Sequence, residues 1–160
     1  MCNVSAVSVV HAKLAKTSFN DVSQTENEIV SSWRCIPAKV REFVDWLLRR
    51  LPFGTRLFTI KRHNSIAVYF ICPTLSAVVS LRDQWRSQQL RDIVEKLFNL
   101  LSTASHIVLV KRLIWSFTEY ERCLYFFNSV QGNDCVLYIS KRQGRLYIYH
   151  TTKTAEIKRR

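Results

Sequence analysis

The sequence predicts an α+β domain with a mainly antiparallel sheet. Three observations carry this. Apolar spacing switches repeatedly between the helical and the extended pattern along the chain. Two short polar breaks, His63-Asn64 and Lys141–Arg145, each separate a pair of strand-like runs, as in hairpins. The chain has 160 residues, only three Gly and three Pro, and 48% hydrophobic residues. That is enough for a single core burying roughly 70% of the unfolded surface without a disulfide or metal staple.

Taken in order, Val4, Val7, Val9 and Val10 suggest a short first strand. Residues 17–32 (TSFNDVSQTENEIVSS) are polar and read as a linker. Pro37 stands where a helix begins. After it, Val40, Phe43, Val44, Leu47, Leu48 and Leu51 make an amphipathic stripe that ends at Pro52 and Gly54. Arg56–Arg62 and Ser65–Cys72 are strands. The second is apolar at nearly every position, which predicts a central strand covered on both faces.

A long helical segment follows Pro73 and Thr74. Its clearest stripe is Leu90, Ile93, Val94, Leu97, Phe98 and Leu101, and the phase slips through Gln84–Gln89, which predicts a bend or two helices. Ile107–Trp115 is a further strand. Ser116–Ser129 is a helix, with Ser116 and Glu119 spaced as a capping box. Cys135–Ser140 and Leu146–His150 form the last hairpin. The order strand–helix–strand–strand–helix–strand is the split βαβ, or ferredoxin-like, order, here with a C-terminal β-hairpin added. The expected organisation is an N-terminal strand and linker over 1–36, an α+β module over 37–130, and a hairpin with a basic tail over 131–160.

Chemistry-bearing motifs are few. The histidines, His11, His63, His106 and His150, lack metal-ligand spacing. Three glycines leave no room for a phosphate-cradling loop, and no nucleophile motif is present. The expectation is a non-enzymatic chain with no catalytic residues, no metal and no cofactor. The five cysteines are scattered and odd in number, which suits a reducing compartment and a cytoplasmic location. Cys123 falls on an apolar stripe and reads as core. Residues 63–81 lack Asp, Glu, Lys and Arg, but Pro73 and several polar residues argue for a buried strand and helix rather than a membrane span.

The net charge of +12 is uneven. Residues 1–36 are neutral, 37–130 carry +7, and 131–160 carry +5 over a third of that length. Lys141, Arg142 and Arg145 beside Tyr147 and Tyr149, with Lys158, Arg159 and Arg160 in the tail, are the candidates for contacting a polyanion. Nucleic acid and an anionic membrane surface are the two partners this cluster suggests. The run does not match the aromatic pattern of an RNA-recognition strand. Lys and Arg that guard an edge hairpin against aggregation account for it as well.

From Pro37 to Phe127 the pattern resembles the TRADD-N-like family, the N-terminal domain of the TNF-receptor-associated death-domain adaptor and its invertebrate relatives. The resemblance lies in the helix after Pro37, the hairpin Ile60-Lys61-Arg62…Ile66-Ala67-Val68, and the strand end at Cys72. It continues in the spacing of Leu81-Arg82, Arg86 and Leu90-Arg91, and in Tyr120-Glu121-Arg122-Cys123-Leu124. It implies a ferredoxin-like protein-binding module in cytosolic signalling, of innate-immune or cell-death type. The partner it implies is a TRAF-domain protein or another signalling adaptor. In the family the exposed sheet face and its edge loops dock the partner. Ile66 matches that surface in type, and Lys61 and His63 occupy neighbouring positions. The residues alone predict an apolar sheet patch centred on Ile66 and rimmed by Arg56, Lys61 and Arg62.

Overall fold

The computed structural model of the chain describes residues 4–16, 21–103, 107–130, 135–142 and 145–152. Their elements run β1 (Ala6–Leu14), α1 (Val22–Arg34), α2 (Ala38–Leu48), β2 (Arg56–Arg62), β3 (Ile66–Cys72), α3 (Leu75–Arg86), α4 (Gln89–Leu101), β4 (Val110–Ile114), α5 (Phe117–Val130), β5 (Cys135–Arg142) and β6 (Arg145–Thr152).

The four-stranded sheet has the order β2-β3-β1-β4, with every neighbouring pair antiparallel. This is the ferredoxin-like arrangement, and each of its two crossovers is a pair of helices rather than one. The hairpin β5–β6 is a separate two-stranded sheet.

Position in the sheet follows from the side chains. β3 lies between β2 and β1, as its near-continuous apolar run requires, with Ile66, Ala67, Val68, Phe70 and Cys72 buried. β1 is equally internal. Its register runs Ala6–Ala12 against Cys72–Ile66 on one side and His11–Leu14 against Ile114–Val110 on the other. β1 therefore belongs to the same sheet as the strands of the module.

The linker expected over residues 17–32 is corrected: from Val22 onward the chain is helical. Asp21 caps α1 by accepting from the Ser23 N–H at 3.0 Å. Ile29 and Val30 are buried, and the turn before them turns Thr25 and Glu26 inward. Polar residues on the buried stripe hid the helical period. Residues 17–20 lie outside the described residues.

The core forms between the sheet and the helices. Val10, Ile66, Val68 and Phe70 meet Val78, Leu81, Leu90, Ile93, Leu97 and Phe98. All six stripe residues of α4 are buried, and each such side chain stabilises the fold by roughly 1.5–3 kcal/mol relative to exposure. The phase slip between α3 and α4 is a helix break at Gln88, which takes the left-handed conformation (φ 68°). Before it, the Ser87 and Gln88 N–H groups close α3 on the carbonyls of Asp83 and Trp85 at 3.0 and 3.3 Å.

α5 closes the sheet in a way no periodicity forecast. β4 pairs only with the second half of β1. Along the first half, α5 side chains take the place of a strand. Glu119 Oε1 accepts from the Val9 N–H at 3.3 Å, and Arg122 Nη2 donates to the Val7 carbonyl at 2.7 Å. The Val9 N–H and the Val7 carbonyl are thereby satisfied, and this stretch of the edge is shielded from a second chain. The capping box is half realised. Ser116 Oγ accepts from the Glu119 N–H at 3.2 Å, while the Glu119 carboxylate serves β1 and Arg122 instead.

Candidate interaction surfaces

Strand alternation sorts the predicted sheet patch. Ile66 shares a face with Val68 and Phe70, beneath the helices, and is 0% exposed. The patch cannot be centred on it. Arg62 pairs in register with Ile66 and lies on the same side. Its guanidinium reaches α1, where it bonds Ser23 Oγ at 2.6 Å and Asn27 Oδ1, and pairs with Glu26 at 3.4 Å. Burial raises the Glu26 carboxyl above its ordinary range, and Arg62 opposes that rise. Arg62 is thus a tether between sheet and helix. A polar cleft of about 580 Å³ beside it is lined by Lys16, Asp21, Ser23, Glu26 and Asn64. Arg56 is exposed at the far end of β2.

Lys61 and His63 do come together, on the opposite face. The register sets His11, Ala67 and Lys61 in one row and Val9, Tyr69 and Thr59 in the next. His63 Nε2 lies 3.3 Å from the Tyr69 hydroxyl, and the His11 and His63 rings are 6.3 Å apart. Lys61 Nζ stands 6.0 Å from the centre of the Tyr69 ring. Burial holds His11 below its ordinary pKa and His63 adds to the effect, while Glu119 of α5 opposes both. This is a mixed face on which imidazole, phenol and ammonium groups gather, rather than an apolar patch centred on Ile66.

The apolar surface lies elsewhere. The α2 stripe read from the sequence has Val44 and Leu47 buried, with Leu51 just past the helix. Phe43, expected in the core, is 62% exposed, and Trp46 is 64% exposed. They are three residues apart and so neighbours on one helix face. With Glu42, Asp45 and Arg49 they line a surface depression of about 600 Å³. Beyond the helix, Phe53 is 68% exposed at φ 43°, in a turn closed by the Thr55 N–H on the Pro52 carbonyl at 2.8 Å. A bulky residue in left-handed backbone with its ring in water is unusual. Sequence reasoning missed Trp46. The available signal was excess: Val40, Phe43, Val44, Trp46, Leu47 and Leu48 wrap more of the helix than one packing face can cover.

A further cluster is internal. Arg82, 6% exposed, lies with its guanidinium carbon 4.2 Å from the Trp85 ring, 4.8 Å from Tyr120 and 5.2 Å from Trp115. It donates to the Trp115 carbonyl at 3.0 Å. The three rings hold the cation at the junction of α3 with β4 and α5. Burial raises the Cys72 thiol to about 12 and also raises Cys123, so both are inert core residues, while Cys35 is exposed.

Of the candidate polyanion contacts, the backbone of β5–β6 sets Arg142 against Arg145, Lys141 against Leu146, Ser140 against Tyr147 and Tyr138 against Tyr149. Lys158, Arg159 and Arg160 lie outside the described residues. Among the described residues, no three His, Cys, Asp or Glu side chains are grouped to hold a metal ion, and no helix is long and apolar enough to cross a membrane. No family model matches the chain, and no curated protein or solved structure does either.

Proposed function

We propose that this chain is a non-catalytic protein-interaction module, an adaptor of the kind the TRADD-N-like resemblance implies, acting in cytosolic signalling of innate-immune or cell-death type. Its docking surface is the outer face of α2, not the sheet around Ile66. The observation that supports this is the exposure of Phe43 and Trp46, two large aromatic rings side by side on a helix whose other face is anchored in the core. Exposed aromatics of this kind supply most of the affinity where they enter a partner's pocket. A TRAF-domain protein or another signalling adaptor is the partner class to seek.

Photocrosslinking tests the reading. A benzophenone amino acid placed at position 43 or 46, in cells expressing the full chain, should give discrete protein adducts. The same residue at the exposed position 76 on α3 should give none. Equal labelling at all three positions, or none anywhere from a folded chain, would overturn the assignment.

A further inference from the structure

The order of charges along α2 points to the occupant of its outer face. Glu42 and Asp45 stand before or beside Trp46, and Arg49 follows it, all three exposed. None of the three has an ion-pair partner among the described residues. Positions 42, 45, 46 and 49 recur at helical spacing, so acid, indole and base lie along one ridge.

Such a ridge is self-complementary in only one sense. Laid antiparallel on a copy of itself, it sets Glu42 of one chain against Arg49 of the other, twice. The midpoint of that pairing falls between Asp45 and Trp46. The two indoles then meet on one side of the two-fold axis, flanked by the two Phe43 rings, and the two Asp45 carboxylates meet on the other, a repulsion that weakens the pair. Laid parallel, it would stack Glu42 on Glu42 and Arg49 on Arg49. Matching by a single two-fold axis is what an isologous interface requires.

The whole-chain charge opposes pairing anywhere else on the surface. Copies at +12 repel one another. Contact is favoured where the surface offers its own acids next to apolar area, and the α2 ridge does so. We propose that α2 is a self-association surface, through which two copies of the chain pair antiparallel about Trp46, with Glu42 of each facing Arg49 of the other. This rests on the reading of α2 as the docking surface and puts a second copy of the chain there in place of a TRAF-domain protein. Four partly exposed rings are a small apolar payload, so the dimer is a weak one with dissociation in the micromolar range.

Sedimentation velocity of the full chain over a concentration series tests this. The wild type should pass from monomer to dimer as concentration rises. Trp46→Ser should weaken association at least tenfold. Glu42→Arg and Arg49→Glu should each weaken it. The double variant E42R/R49E should restore it, which a surface that merely tolerates charge change would not do. Circular dichroism of each variant establishes that it is folded. A wild type that stays monomeric throughout, or a folded double variant no tighter than either single one, overturns self-association. The crosslinks separate this from failure of the broader reading. Adducts at position 46 to a different protein, with a monomeric wild type, overturn the dimer alone. Absence of any adduct at 43 and 46 overturns both.

Discussion

The two crossovers of the sheet use their apolar residues in opposite ways. The second, α3–α4, turns its whole stripe inward, and Leu90, Ile93, Val94, Leu97, Phe98 and Leu101 are all buried. The first, α1–α2, buries Val44 and Leu47 but leaves Phe43 and Trp46 in water. α2 packs mainly on α4, so it has one supporting surface and more apolar side chains than that surface can take. An amphipathic pattern says that a helix has something to bury. How much is buried depends on what lies on each side of it.

The sharpest way to break this contrast is a matched pair of truncations. Leu97→Ala, in the buried stripe, should cost about 2–5 kcal/mol, the range for emptying a packed aliphatic site. Trp46→Ala removes a larger side chain yet should change stability by no more than about 0.5 kcal/mol, as for an exposed site. Urea unfolding of both measures the difference. Comparable losses would mean that the outer face of α2 is part of the core.

A smaller effect is expected where the second crossover is pinned by a cation. Arg82→Ala removes three ring contacts and the bond to the Trp115 carbonyl, and should cost about 2–3 kcal/mol. The near-ultraviolet circular dichroism of the tryptophans should fall with it. A stable variant with an unchanged tryptophan signal would show that the rings pack without the cation.

A smaller loss than at Arg82 is expected in the first crossover, where a partly exposed arginine ties α1 to β2. Arg62→Ala leaves Glu26 buried without its counter-charge and should cost about 1 kcal/mol at neutral pH. The carboxyl of Glu26 already titrates above its ordinary 4.5 through burial, and losing Arg62 lifts it further. A group raised in the folded state contributes stability below its unfolded value and loses it as pH rises through the folded one. The gap between variant and wild type should therefore be widest at neutral pH and close as pH falls towards 4.5. A gap independent of pH would mean that Arg62 acts through its bonds to Ser23 and Asn27 rather than through Glu26.

Much of the architecture was legible in the chain. The α4 stripe, the phase slip at Gln88, the β2–β3 hairpin and the Ser116 cap all depend on residues near one another in sequence, where spacing and turn chemistry act directly. α1 was not legible, because Thr25 and Glu26 occupy buried positions and a residue 36 places away, Arg62, makes Glu26 tolerable there. The placement of Ile66 was legible only as buried or exposed in alternation, since period two names two faces without saying which one the helices cover. Of the candidate site, Lys61 and His63 each lie near Tyr69, and His11 stands beside His63, neighbours contributed by other strands. Of the exposed aromatic pair on α2, Phe43 was read as core and Trp46 was missed.

What the sequence by itself determined is the α+β class, the order of the strands, and the order of the helices from α2 onward. Each of these is set by local periodicity, turns or composition. The tertiary structure alone decided which side of α2 meets water, which face of β3 carries Ile66, and that Glu119 and Arg122 close the free edge of β1. These depend on the supply of neighbouring surface and on pairings between residues up to 115 positions apart. No window of sequence contains them, because burial is a property of the space around a side chain and not of the side chain itself.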